Sequence, residues 1–80
     1  MISSMEVSLY PLGRGDIGPA IGKFIAVLEE RGCAVETGPM SSLVTGDTDA
    51  LFGALQAAYE GAASQGGVVM VVKMSNACPV

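Results

Sequence analysis

The chain has eighty residues and a net charge of −4; half its residues are hydrophobic and 15% are charged. Only Arg14, Lys23, Arg31 and Lys73 are cationic, which excludes the basic patch that nucleic acid needs, and the lack of histidine removes the commonest general base and metal ligand. A length of eighty residues implies one domain, spanning 1–80, and its apolar share exceeds what so small a core absorbs, which predicts a homodimer or homotetramer.

Residues 2–10 alternate. Met5, Val7 and Leu9 fall on one face, and Ser4, Glu6, Ser8 and Tyr10 on the other, the period of a half-buried strand. Pro11 to Gly15 is a turn. Asp16 is the expected cap of a first helix, in which Ile17, Ala20, Ile21, Phe24, Ile25 and Leu28 form the apolar stripe and Gly32 the stop. Cys33–Thr37 and Met40–Thr45 make two short strands around the Gly38-Pro39 turn. Asp47 or Thr48 is the expected cap of a second helix, with Leu51, Phe52, Leu55, Ala58, Tyr59 and Ala62 as its stripe. Val68 to Met74 is the fourth strand.

The order β-α-β-β-α-β is the split βαβ arrangement, so the predicted class is α+β: a ferredoxin-like sandwich with strand order 4-1-3-2 and both helices on one face. Pairing Tyr10 with Val69 sets Glu6 opposite Lys73 and Ser4 opposite Ser75. The open face then carries Glu6, Ser8, Tyr10, Val69, Val71, Lys73 and Ser75. One end of the sheet gathers Tyr10, Arg14, Thr37, Met40 and Ser41. The other gathers Ser3, Ser4, Thr45, Asp47, Ser75 and Asn76.

Most of these groups have two readings. Glu6 pairs with Lys73, or takes protons from a ligand amine or ring nitrogen. Tyr10 is an interface aromatic or a stacking surface. Ser41 and Ser42 satisfy the hairpin backbone or, with Met40, wall a heteroaromatic ring. The Gly13–Asp16 loop lacks a phosphate-loop pattern and is a turn, with Arg14 solvated. Cys33 is a buried packing thiol, and Cys78 packs or touches ligand. No cysteine has a base partner and no metal-ligand cluster is visible, so the chain is expected not to be an enzyme and to hold no cofactor. No leader is visible, and the run Val68–Val72 is too short to cross a membrane, so a cytoplasmic location is expected. The tail keeps its apolar character to the last residue, and the open edge of the fourth strand suits a neighbouring subunit.

Three stretches carry a resemblance: Ser8-Leu9-Tyr10-Pro11-Leu12-Gly13, the run from Thr37 to Asp47, and Ser75-Asn76-Ala77-Cys78-Pro79. Together they resemble the YkoF-type thiamin/hydroxymethylpyrimidine-binding proteins across nearly the whole chain. The resemblance implies a ferredoxin-like fold, self-association in place of tandem domains, and binding of thiamin or its pyrimidine moiety without turnover. The residues expected around the ligand are Glu6, Ser8, Tyr10, Thr37, Met40, Ser41, Ser42 and Asn76. The competing expectation is an oligomeric interaction or regulatory module of the same fold that binds no vitamin.

Overall fold

The computed structural model describes residues 1–13 and 15–77. The expectations placed on Arg14, Cys78, Pro79 and Val80 lie outside the described residues.

Six elements follow in the predicted order: β1 (Ile2–Pro11), α1 (Gly18–Glu30), β2 (Ala34–Thr37), β3 (Ser42–Asp47), α2 (Thr48–Ala63) and β4 (Val68–Ser75). The strands form one antiparallel sheet in the order β2-β3-β1-β4. This is the ferredoxin-like arrangement that the sequence predicts. The register of β1 with β4 is also as expected: Tyr10 faces Val69, Glu6 faces Lys73 and Ser4 faces Ser75.

Period-two alternation in β1 turns Met5, Val7 and Leu9 toward the helices, where all three are buried. Val44 from β3, Phe24 and Leu28 from α1, and Leu51, Ala54 and Ala58 from α2 complete the core with Cys33. Met5, Leu28, Leu51 and Val44 are its largest fully buried side chains. Burial pushes the Cys33 thiol above its ordinary pKa, because desolvation disfavours the thiolate.

Several local expectations need correction. Asp16 does not occupy the capping position of α1. Ile17 does, and it is exposed; the Asp16 carboxylate instead accepts a hydrogen bond from the Gly18 amide at 3.1 Å. Met40 and Ser41 precede β3, because the Gly38 amide donates to the Ser41 carbonyl at 2.8 Å and closes a turn there. A Cβ on Gly38 would lie 2.9 Å from that carbonyl oxygen, so the turn requires glycine. Gly32, at φ +85, ends α1 in the left-handed region that glycine tolerates best.

On α2 the buried stripe is Leu51, Ala54 and Ala58. Phe52 and Tyr59 each follow a buried residue by one position, which carries them about 100° round the helix and into solvent. Their size suggested core; the geometry of the stripe decides otherwise. The Asp47 side chain makes no capping bond and instead meets the amino terminus of Met1 at 3.3 Å. Among the described residues, no helix is long and apolar enough to cross a membrane.

Candidate functional site

The two sheet partners of β1 end at different places. With β4 the pairing runs to Pro11 and Val68, whereas with β3 it stops at Val7 and Ser42. Beyond Val7, no strand among the described residues pairs with the side of β1 that faces the hairpin. Backbone N–H and C=O groups along such a stretch need partners from elsewhere.

A cavity of about 120 Å³ opens at this point, between β1, the start of α1 and the β2–β3 hairpin. Val7, Leu9, Ile21, Phe24 and Ile25 supply apolar walls, while Ser8, Thr37, Ser41 and Ser42 bring hydroxyl groups to it. Among the described residues, no charged side chain lines it. Gly38, Pro39 and Met40 form its outer lip, and Met40 is 84% exposed. Ser8 donates from its Oγ to the Met40 carbonyl over 3.4 Å, a long and weak tie between strand and lip.

Five of the eight expected ligand residues therefore line one cavity: Ser8, Thr37, Met40, Ser41 and Ser42. Three do not line it. Glu6 and Tyr10 project from the open sheet face, where Glu6 lies 3.7 Å from the Lys73 amine. Asn76 follows β4 at the opposite end of the sheet. The α1 wall of Ile21, Phe24 and Ile25 went unassigned to the site, although a signal existed. These residues form the first half of the α1 stripe, and a helix that follows β1 must begin over the end of that strand.

A larger groove of about 300 Å³ runs between the helices, with Ala20, Phe24, Val27, Ala58 and Ala62 along its floor. It is the seam left by small residues where α1 and α2 cross. Its polar groups, Lys23, Glu30 and Gln65, belong to exposed, solvent-facing side chains. The smaller cavity has the better chemistry for recognition, because it sets several hydroxyl groups beside an apolar wall in one open recess. Among the described residues, no group of three or more acidic, cysteine or histidine side chains is placed to hold a metal ion.

The fold and cavity define a small ferredoxin-like protein with a neutral, partly polar recess beside its central strand. The sequence matches the YKOF-related family over residues 2–80, and the chain belongs to that family. No curated protein matches it. Among solved structures, it is similar to a hypothetical protein from Methanocaldococcus jannascii, with 27% identity over 99% of this chain and 84% of that one and a TM-score of 0.88. A protein from Streptococcus pneumoniae is 25% identical over 96% of this chain and 88% of that one, with a TM-score of 0.86. A third likeness, of fold alone, is to a candidate thiamine biosynthesis/salvage protein from Thermotoga maritima. It is 14% identical over 96% of this chain and 85% of that one, with a TM-score of 0.84.

Proposed function

We propose that the protein binds thiamin, or its hydroxymethylpyrimidine moiety, without chemical turnover, as a carrier, scavenger or sensor in thiamin supply. The observation that carries this reading is the stretch of β1 left without β3 beside it, opening into an apolar cavity rimmed by neutral hydroxyl groups. An aminopyrimidine presents an amino donor next to a ring-nitrogen acceptor. That pair is complementary to the C=O and N–H groups of an exposed strand edge. Phe24, Ile21 and Ile25 give the ring an apolar wall. Membership of the YKOF-related family supports the same reading, and so does the fold shared with the Thermotoga maritima protein.

Size and charge set how the ligand sits. At about 120 Å³ the cavity is smaller than the roughly 300–1,000 Å³ typical of drug-sized ligands, so it takes the pyrimidine ring and leaves the thiazolium outside. The uncharged lining suits the neutral ring, and the net charge of −4 favours a cationic remainder at the mouth. Isothermal titration of the folded protein with thiamin and with hydroxymethylpyrimidine tests the reading. Saturable heat with at least one is the expected result, and no heat with either refutes it.

The exposed Tyr10, Val69 and Val71 on the open sheet face favour a second reading, an interaction module without a vitamin ligand. Silent titrations combined with capture of a protein partner through that face would establish it instead.

A further inference from the structure

Along an antiparallel strand, successive residues turn their N–H and C=O groups alternately to one neighbour and to the other. The two ends of β1 show which residues turn which way. The Leu12 N–H donates to the Gly67 carbonyl at 2.9 Å, on the β4 side, and the Met1 carbonyl accepts from the Thr48 N–H at 2.9 Å, on the β3 side. The registers with β4 and β3 run unbroken along β1, so its even-numbered residues address β4 and its odd-numbered residues address β3. Among the described residues, Val7 is the last odd one with a strand partner there, Ser42. Leu9 and Pro11 come next on that side.

The two positions differ. Pro11 has no N–H, which suits a strand position where no ladder bond is made. Leu9 keeps both groups. Continued by two residues, the β1–β3 register would set Leu9 opposite Met40. The turn that the Gly38 amide closes on the Ser41 carbonyl carries Met40 away instead, and Met40 is 84% exposed. Among the described residues, no hydrogen bond reaches the Leu9 N–H or C=O on this side. Leu9 lines the recess and is 9% exposed, so its donor and acceptor are withdrawn from bulk solvent, where polar groups need partners.

We infer, resting on the pyrimidine reading above, that the recess selects cyclic amidines and that the Leu9 backbone is the group that reads them. A cyclic amidine sets an amino donor beside an unprotonated ring nitrogen, one carbon apart. The C=O and N–H of one extended residue face the same way and meet that edge with two parallel hydrogen bonds of about 2.9 Å. The ring then lies in the plane of the sheet, in the place that β3 vacates, and Ile21, Phe24 and Ile25 of α1 cover one of its faces. The hydroxyl groups of Ser8, Thr37, Ser41 and Ser42 each donate or accept, so they hold a ring without choosing its edge. The backbone pair cannot reverse its order, so it carries the selectivity.

Calorimetry with trimmed rings tests this on the full chain. The probes are hydroxymethylpyrimidine, the same ring without its amino group, and the same ring with CH in place of the nitrogen beside that group. Each trimmed ring is expected to bind at least about tenfold more weakly than the parent. On the protein side, chemical ligation at Gly32-Cys33 allows Leu9 to be replaced by its α-hydroxy acid, which exchanges the N–H for an ester oxygen and keeps the shape. No ladder bond is lost, so circular dichroism and the urea midpoint are expected to match wild type. Hydroxymethylpyrimidine is expected to bind this protein at least about tenfold more weakly. The ring that lacks the nitrogen is expected to bind it no less tightly than the parent does, because both changes remove the same bond. Should the ester protein fail to fold, amide exchange in the wild type makes the test: saturating hydroxymethylpyrimidine is expected to slow exchange at Leu9 at least about tenfold. If hydroxymethylpyrimidine binds but either trimmed ring matches it, or exchange at Leu9 is unchanged, the Leu9 assignment is overturned and pyrimidine binding stands. Heat from neither thiamin nor hydroxymethylpyrimidine overturns both.

Discussion

The two ends of the sheet use similar residues to opposite effect. At the end near the N-terminus, polar groups satisfy one another. Ser3 and Thr48 share a hydrogen bond of 2.7 Å between their hydroxyl groups. Thr48 also gives both its hydroxyl and its backbone N–H to the Met1 carbonyl, at 3.1 and 2.9 Å, while Asp47 holds the Met1 amine. This end is a clasp that ties β1 to the start of α2. At the hairpin end the hydroxyl groups of Thr37, Ser41 and Ser42 line a cavity, and a long 3.4 Å bond from Ser8 ties β1 to the lip. Polar groups that close on themselves hold the fold together, whereas polar groups left around an apolar recess are available to a ligand.

The contrast is tested hardest in the core beneath the clasp. Leu51 is fully buried and packs against Gly46, with its Cδ2 3.5 Å from where a Cβ on that glycine would stand. Leu51→Ala is expected to cost about 2–5 kcal/mol, measured by urea unfolding. In a chain of eighty residues that is a large part of the total stability. A loss below about 1 kcal/mol would show that α2 is held chiefly by other contacts.

A matched pair of substitutions sharpens the comparison further. Thr48→Val keeps the shape but removes the hydroxyl that Ser3 and Met1 share, leaving the buried Ser3 short of a partner. The expected loss is about 1–3 kcal/mol of stability, with pyrimidine affinity unchanged. Thr37→Val at the cavity is expected to do the reverse: stability within about 0.5 kcal/mol of wild type, and affinity lowered several-fold in the titration. Equal losses of stability from the two would erase the distinction between the ends.

What the sequence reveals follows the reach of its signals. Period-two alternation in β1 and β4 sets which residues share a face, because a slip of β4 by one residue would turn Met70 and Val72 to the open face, and the pairing of Glu6 with Lys73 then selects the observed register from those two residues apart. Helix faces were less legible. Phe52 and Tyr59 stand in the stripe expected for α2 and Ala54 does not, yet Ala54 is fully buried and both rings are exposed. The hairpin half of the site was visible as a cluster of hydroxyl residues around Gly38-Pro39. The α1 wall carried a signal in the first half of the α1 stripe, but the early end of the β1–β3 pairing had none, because it depends on how far a hairpin curls away from its neighbour. Nothing in the local sequence states that.

Glu6 gives the smallest expected effect and the finest test of where the ligand sits. Its carboxylate and the Lys73 amine are 3.7 Å apart, with side chains 45% and 73% exposed. A solvent-exposed pair of this kind is worth about 0–1 kcal/mol, and Glu6→Ala is expected near the lower end, since the long side chains must also be ordered to meet. Glu6 does not line the cavity, although Ser8 on the same face of β1 does. Removal of Glu6 is therefore expected to leave pyrimidine affinity within about twofold of wild type in the same titration, a change under about 0.5 kcal/mol. A tenfold loss would move the ligand to the open sheet face, beside Tyr10 and Lys73, and would make the ion pair a component of the site rather than a feature of the sheet.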